Sequence, residues 1–369
     1  MNKVNKIKIA VAIPTYNRVK QLKFALEHLE HQQFDHTIIE LFCVISNSCS
    51  TDDTFLFLNG LKSSTVNYII VNNSPNTEMY VCATDNFRNC ANAIPDYIDW
   101  VWFMGDDDYL TSPLVISQLA NLIIDSSNIE LSLILTTEDR RSLKTGRVVK
   151  ESLYNLCKQI GFFDVLGWIA SLVVRRAKFK LSILGDVFRG SDKCACPHSI
   201  AIFAECSNDN AVLIDSGWCN VQTKTSDDVK DTNVRWSTDG VFEGYYNMID
   251  AFRYLRQKNL LNNDLGASFF RYHTYSIWDY LIATLVHQVL SRNEITALDM
   301  EHWNKIMLYT EFLSNPYERK CFLLNFYSIR SLVLQFVKNR PPDETIRNDL
   351  EKIKSMLMSA SYPRTVLSE

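Results

Sequence analysis

Large net charge is missing from this chain. Among its 369 residues, 38 Lys and Arg stand against 42 Asp and Glu, a formal net charge of −4. That balance excludes broad electrostatic binding to nucleic acid. No uninterrupted apolar stretch reaches membrane-spanning length; Tyr275–Leu290 comes nearest and is broken by Asp279, His287 and Gln288. Lys3, Lys6 and Lys8 precede a short apolar segment, but no small-residue cleavage site follows. That segment therefore reads as a first strand, not a signal peptide. The ten cysteines form no C-x-x-C pair, Cys194-Ala-Cys196 being the closest spacing. This argues against structural zinc and a disulfide framework, and for a reducing cytosol. No G-x-G-x-x-G follows the first strand, and no Walker lysine loop occurs. A dinucleotide dehydrogenase and a P-loop enzyme are excluded on that ground. There is no internal repeat and no low-complexity tract.

What is present is the composition of a soluble globular protein, 47% apolar and 22% charged, with length for roughly two domains. Apolar runs at Ile7–Ile13, Ile39–Ile45, Val66–Val71, Asp99–Met104 and Leu131–Thr136 predict strands. Between them, helical spacing predicts helices over Val19–His31, Thr51–Leu61, 84–94 and Pro113–Ile124. The helix over Thr51–Leu61 takes its cap from Ser50 or Thr51 and carries Asp52 and Asp53 in its first turn. Strict alternation of strand and helix implies a mostly parallel sheet flanked by helices. Beyond residue 140 the pattern loosens to a strand at Ile169–Val174, a helix beginning near Pro197 and a short strand at Ala211–Asp215. From about residue 238 only helical periodicity remains, over 240–259, 265–291, 299–313, 318–338 and 343–358. The polar stretch Thr223–Asn233 marks the seam. The expected domains are an α/β domain over 1–225 and a helical domain over 235–369.

The most informative segment is Trp-Val-Trp-Phe-Met-Gly-Asp-Asp-Asp at 100–108. A strand buried on both faces ends in three consecutive carboxylates, Asp106, Asp107 and Asp108. Adjacent carboxylates repel, so a cation that neutralises them makes sense of the cluster. Hard divalent ions take one or two carboxylates while phosphate supplies further oxygens. The other reading is a solvated acidic turn. Three more polar segments close predicted strands: Pro14-Thr15-Tyr16-Asn17-Arg18, Ser46–Thr54, and the region of Asn86–Asn89. In a parallel sheet those ends share one edge, where open α/β sheets bind ligands. The contents suit a nucleoside diphosphate. Asn47 and the backbone near Thr15 can bond a base edge and ribose hydroxyls, and Arg18 or Arg88 can reach phosphate.

Ala-Ile-Pro-Thr-Tyr-Asn-Arg, Ser-x-x-x-Ser-Thr-Asp-Asp-Thr and Trp-Phe-Met-Gly-Asp-Asp-Asp, in that order, resemble the family 2 glycosyltransferases of GT-A (Rossmann-like) fold. The likeness is to the abequosyltransferase-like branch of bacterial surface-polysaccharide enzymes. It covers roughly residues 7–136 and extends more weakly over 160–206. The resemblance implies inverting transfer of a hexosyl or deoxyhexosyl group from a nucleotide-sugar to a glycan or lipid-linked glycan acceptor. It implies a divalent metal, Mn or Mg, and O-antigen or capsule synthesis at the cytoplasmic face of the inner membrane. Pro14, Thr15, Tyr16, Asn17 and Arg18 then belong to the donor-binding loop. Asn47 stands where the family has an aspartate that contacts the base. Asp52 belongs to a helix cap. Asp106 and Asp107 meet the donor, and Asp108 with Asp106 the metal.

The family's acidic catalytic base, often a Glu-Asp pair, has no counterpart here. Asp192 and His198 are the two candidates in that region. His198 falls in the first turn of a predicted helix, where the dipole favours neutral imidazole; its other reading is a packed histidine. Trp168 falls in a segment resembling the acceptor side, or is plain core. Arg175 and Arg176 could meet a lipid-linked pyrophosphate or form a solvated strand end.

The helical region carries Tyr272, His273, Tyr275, Trp278 and Tyr280 at core-like spacing. Arg319, Lys320, Arg330, Lys338 and Arg340 would suit an anionic surface. Homo-oligomerisation is open. Two other functions fit parts of the pattern: a sugar-phosphate nucleotidyltransferase, and a non-catalytic nucleotide-binding scaffold.

Overall fold

Apolar strands that alternate with amphipathic helices bury both faces of a sheet, and this chain does so around β1 (Ile7–Thr15). The computed structural model describes residues 6–72, 83–138, 145–179, 196–222, 238–262, 265–272, 275–339 and 343–359. Two compact units result. One comprises Met1–Tyr154, Trp168–Asp192 and Pro197–Asp231; the other comprises Asn155–Gly167, Lys193–Cys196 and Thr232–Glu369.

The first unit holds a nine-stranded sheet. β1, β2 (Ile39–Asn47), β3 (Asn67–Asn72) and β4 (Trp100–Phe103) are parallel, in the order β3-β2-β1-β4. Four further strands continue the sheet: β5 (Asp108–Leu110), β6 (Leu131–Glu138), β8 (Leu172–Arg175) and β9 (Asn210–Val221). β8 runs antiparallel between β4 and β6, β6 pairs parallel with β9, and β5 pairs antiparallel with β9. β7 (Val148–Ser152) pairs antiparallel with β9 off the main path.

Side-chain alternation divides the core. Ile9, Val11, Ile13, Leu41, Cys43, Ile45, Trp100 and Trp102 share one cluster with Leu22, Leu26 and Leu29 of α1 (Val19–Glu30). Val115, Ile116 and Leu119 of α4 (Val115–Asp125) join it. Fully buried Trp102 donates its indole N–H to the Ala170 carbonyl at 2.8 Å, so its one polar atom is satisfied. The intervening residues meet α3 (Ala83–Asn92), where the Phe87 ring lies 4.9 Å from that of Phe103. All the cysteines among the described residues are free thiols.

The second unit is helical. Its core is a chain of edge-to-face rings that includes Phe162, Phe252, Phe270 and Phe312. Ser276 caps helix Ile277–Arg292, Thr296 and Asp299 form a capping box, and Pro316 opens helix Pro316–Lys338 behind the Asn315 cap. Trp278 is buried in the ring cluster, and Tyr280 packs edge-on against Tyr245. The side chains of Tyr272, His273 and Tyr275 lie outside the described residues, as does Arg340.

Several local expectations change. The helix predicted over 265–291 begins only at Ile277; a 3-10 turn, Ala267–Phe270, and two short paired strands precede it. Trp168 is extended and Ile169–Ser171 form a 3-10 turn, so the strand predicted at Ile169 starts at Leu172. The strand predicted at Ala211–Asp215 extends to Val221 because its far end finds a partner in β5. The second helix, α2, is Thr54–Asn59, not Thr51–Leu61. Asp52 accepts from the backbone N–H of Val19 at 3.0 Å and of Thr54 at 3.0 Å. One carboxylate thus serves the amino ends of both α1 and α2. Replacing Asp52 with Ala should lower stability by about 1 kcal/mol, the usual value of a lost cap. Urea unfolding checks this; an unchanged midpoint would mean that water satisfies both amides equally well.

Candidate functional site

β1 ends at Thr15 and β4 at Phe103, parallel and adjacent, so their following loops leave the same sheet edge. This brings together residues 91 positions apart: the Thr15 hydroxyl donates to Asp106 Oδ2 at 2.8 Å. Arg18 reaches the same place, its Nη1 lying 3.1 Å from Asp106 Oδ1 and 3.0 Å from Asp107 Oδ2. One guanidinium nitrogen therefore bridges two carboxylates.

Asp108 turns the other way. Its Oδ2 accepts the Gly105 N–H at 2.6 Å, and its carboxylate also takes a hydrogen bond from Trp168. A Cβ at Gly105 would meet Asp107 Oδ1 and Asp108 Oδ2 at 2.9 Å each, so glycine there leaves room for the fanned carboxylates. Asp108 also begins β5, and Gln222 N–H donates to the Asp107 carbonyl at 2.8 Å. The acidic turn is thus clamped by β9 from the far side of the sheet.

The electrostatics follow from burial. Asp106 and Asp108 are buried, whereas the Asp107 side chain keeps partial exposure. Loss of hydration raises the pKa of Asp106, with Arg18 pulling it down and Asp107 pushing it up. Burial raises Asp108 further, to about 8, reinforced by Asp107 and opposed by the Gly105 N–H and Trp168. Asp106 holds Arg18 above its ordinary value, so the guanidinium stays charged. Three carboxyl groups with one guanidinium, which reaches only Asp106 and Asp107, leave the cluster rich in acceptors and short of positive charge.

The neighbouring loops form a brace. Asn17 adopts φ 52°, and its Oδ1 accepts from the N–H of Thr51 at 2.7 Å. Its own N–H donates to Ser50 Oγ at 2.9 Å. Asn47 is fully buried. Its Nδ2 donates to Asn72 Oδ1 at 2.8 Å, and its Oδ1 accepts from the Ser50 amide and hydroxyl. Asn86, also buried, donates to the Thr15 carbonyl at 3.0 Å and accepts from Ser46. Asn47 and Asn86 therefore spend their amides on holding loops in register. Pro14 and Tyr16 are half-buried beside Thr15.

Arg88 pairs with Asp85 within α3, half-exposed and one turn apart. His198 occupies the first turn of helix Pro197–Cys206, buried, with its ring 6.2 Å from that of Phe87. Asp192 lies outside the described residues. Arg175 ends antiparallel β8 and Arg176 follows it, so they lie at the opposite edge from the aspartates and do not join this cluster. Sequence reasoning missed the Trp168 contact with Asp108 and the Gly105 cradle. Neither had a local signal, because Trp168 is 60 positions from Asp108 and the cradle depends on side-chain directions.

The raised Asp108 pKa has a stability consequence of definite sign. The folded state binds that proton more tightly than the unfolded chain. The stabilisation is complete below the ordinary carboxylate pKa and is lost as pH rises through the raised value. An amide cannot ionise, so Asp108→Asn should gain in melting temperature relative to wild type between about pH 5 and about pH 8.5. Parallel melting-temperature curves for the two proteins would contradict this.

No family model matches the sequence, and no curated protein does. Solved structures do match. S. aureus TarS 1–349 in complex with UDP-GlcNAc superposes with TM-score 0.54 at 14% identity, over 96% of this chain and 93% of that one. The same fragment alone gives 0.52 at 14% identity, and with UDP 0.50 at 13%, over the same shares of both chains. This likeness shows the fold: a GT-A α/β sheet flanked by helices, followed by a helical region.

Proposed function

We propose that this chain is an inverting glycosyltransferase that moves a hexosyl or deoxyhexosyl group from a nucleotide-sugar to a hydroxyl of a glycan or lipid-linked glycan. The setting we assign is bacterial surface-polysaccharide synthesis, O-antigen or capsule, in the cytoplasm at the inner face of the membrane. The abequosyltransferase-like branch belongs to the same reading. Among the described residues, no helix is long and apolar enough to cross a membrane.

The observation that carries the reading is the acidic cluster at the carboxyl edge of β4, bridged by Arg18 and Thr15. It lies on a fold shared with a protein solved with UDP-GlcNAc. A divalent metal, Mn or Mg, fits these residues in one particular way. Among the described residues, no group of three acidic, His or Cys side chains is set to hold a metal unaided. An ion that takes one or two carboxylates and completes its shell with phosphate oxygens needs no such group. Arg18 already stands as a cation between Asp106 and Asp107, and the Gly105 cradle keeps their neighbour Asp108 close. Asp108 and Asp106 are the residues that would hold the ion. When bound, it would neutralise charge on the departing nucleoside diphosphate.

The chain's own residues do the rest in this reading. Pro14, Thr15, Tyr16 and Asn17 shape the wall against the nucleoside, and Asn47 holds that wall in place through Ser50 and Asn72. Arg18 keeps Asp106 and Asp107 paired before donor arrives and is free to turn to phosphate afterwards. Arg88, on the exposed side of α3, is a second cation for the diphosphate. Asp107, the most solvated of the three, meets the donor. Trp168 orients Asp108 and offers a face on which an acceptor sugar can stack. His198 or Asp192 removes the acceptor hydroxyl proton as that oxygen attacks the anomeric carbon.

Melting-temperature shifts with UDP-, GDP-, CDP- and dTDP-sugars, with and without manganese, test donor binding. One nucleotide-sugar should stabilise the wild type in a metal-dependent way, and Asp108→Ala should lose that shift and all transfer while staying folded. Normal transfer by Asp108→Ala would sink the assignment. Pyrophosphate release from a nucleoside triphosphate would indicate a nucleotidyltransferase instead. Donor binding with neither transfer nor hydrolysis would indicate a non-catalytic protein.

His198→Ala and Asp192→Asn separate the two candidate bases. The variant that removes the base should lower kcat by about 100-fold or more, leaving the donor shift intact. Full rates in both would place the base elsewhere.

A further inference from the structure

A cleft in the first unit lies away from the acidic cluster, at the opposite edge of the sheet. It has a volume of about 840 Å³ and is lined by residues that include Lys6, Lys8, Tyr97, Trp100, Arg175 and Arg176. That is the size range of small-molecule sites. It opens where parallel β1 and β4 begin and antiparallel β8 ends, since Trp100 pairs with Arg175 and with Ile9. Ile7 lines the cleft and Thr15 bonds Asp106, so β1 separates the two places by roughly 26 Å at ~3.3 Å per residue.

The charges of this cleft are unbalanced. Four cations line it against Asp96 and Asp99. Asp96 is taken by Arg176 at 3.0 Å, and Asp99 Oδ2 accepts the backbone N–H of Lys8 at 2.8 Å. Arg176 is further tied to the carbonyls of Phe179 and Ile94, so it belongs to the wall. Lys6, Lys8 and Arg175 form no direct ion pair with a carboxylate among the described residues. Two of the three are positioned by aromatic rings. The Arg175 guanidinium lies 5.9 Å from the Trp100 ring centroid, and the Lys8 ammonium 4.9 Å from that of Tyr97. A guanidinium held over a ring face engages it by charge and keeps its N–H donors for an acceptor, which suits phosphate geometry. Tyr97, itself exposed, adds a flat apolar surface beside the cations.

We propose that this cleft is a second ligand site, separate from the donor site, that binds a phosphate- or diphosphate-bearing molecule through Lys6, Lys8 and Arg175. The ligand presents two or more anionic oxygens to the three cations and packs its adjoining part on Tyr97. A phospholipid headgroup and a free phosphorylated metabolite share that chemistry.

Titration calorimetry of the full chain with inorganic pyrophosphate, and co-sedimentation with vesicles of phosphatidylglycerol and phosphatidylcholine, form the two arms. Lys8→Gln/Arg175→Gln should weaken the response at least tenfold, with the nucleotide-sugar melting shift unchanged. Lys6→Gln/Lys8→Gln, which leaves the Arg175–Trp100 pair untouched, repeats the test should the first variant fold poorly. Arg18→Ala should retain the response, which separates this site from pyrophosphate entering the donor site. Pyrophosphate binding sensitive to the cleft variants assigns a soluble ligand. Sedimentation sensitive to them, without pyrophosphate binding, assigns the headgroup. Equal behaviour of wild type and folded cleft variants in both arms overturns the proposal, whatever becomes of the glycosyltransferase reading.

Discussion

Three consecutive carboxyl groups at the end of a buried strand are the constraint from which the rest of the first unit follows. Two carboxylates about 4 Å apart repel by about 4 kcal/mol at an effective dielectric of ~20, and burial adds a hydration cost. The chain offsets this locally with whatever donors the topology can deliver. Thr15 and Arg18 come from the end of β1, Gly105 supplies a backbone N–H, and Trp168 comes from the segment before β8. Each donor requires its own stretch of chain to be in place. The acidic turn therefore acts as a keystone for β1, β4, β5 and the Trp168 segment together.

The compensation is incomplete, and the shortfall has chemical meaning. Asp106 and Asp108 both hold protons more tightly than exposed carboxylates do. In the glycosyltransferase reading, a cation would supply the positive charge that the site lacks. Arg18 supplies part of that charge by pairing with both Asp106 and Asp107. Asn17, Asn47, Ser50, Asp52 and Asn86 support this arrangement from behind by joining the loops after β1 and β2 to each other and to α3. The polar residues in these loops thus divide into a few that face the site and more that hold the loops.

The two edges of the sheet carry opposite electrostatic character. Carboxylates collect at the carboxyl ends of the parallel strands, and cations without an ion pair among the described residues collect where those strands begin. The antiparallel run of β8 adds to the second of these, because it brings Arg175 to the edge where Lys8 already stands.

The sequence by itself determined the strand and helix alternation of the first unit. Apolar runs of strand length, with polar turns between them, admit little else, and up to Leu131–Thr136 their bounds were legible to within a few residues. It also determined that Thr15, Arg18 and Asp106 would share an edge, since parallel strands separated by helices must end on the same side. The direction of β8, the added strand β5 and the short elements between Ala267 and Ser276 were decided by tertiary structure. In those segments pairing with a distant partner supplies the hydrogen bonds that local periodicity cannot announce. Tertiary structure alone also turned Asn47 into a brace, set Arg18 between two carboxylates and joined Trp168 to Asp108. Such roles depend on where a side chain's polar atoms find partners across tens of residues. Composition and spacing say which groups are available to bond, and only the folded chain decides which of them meet.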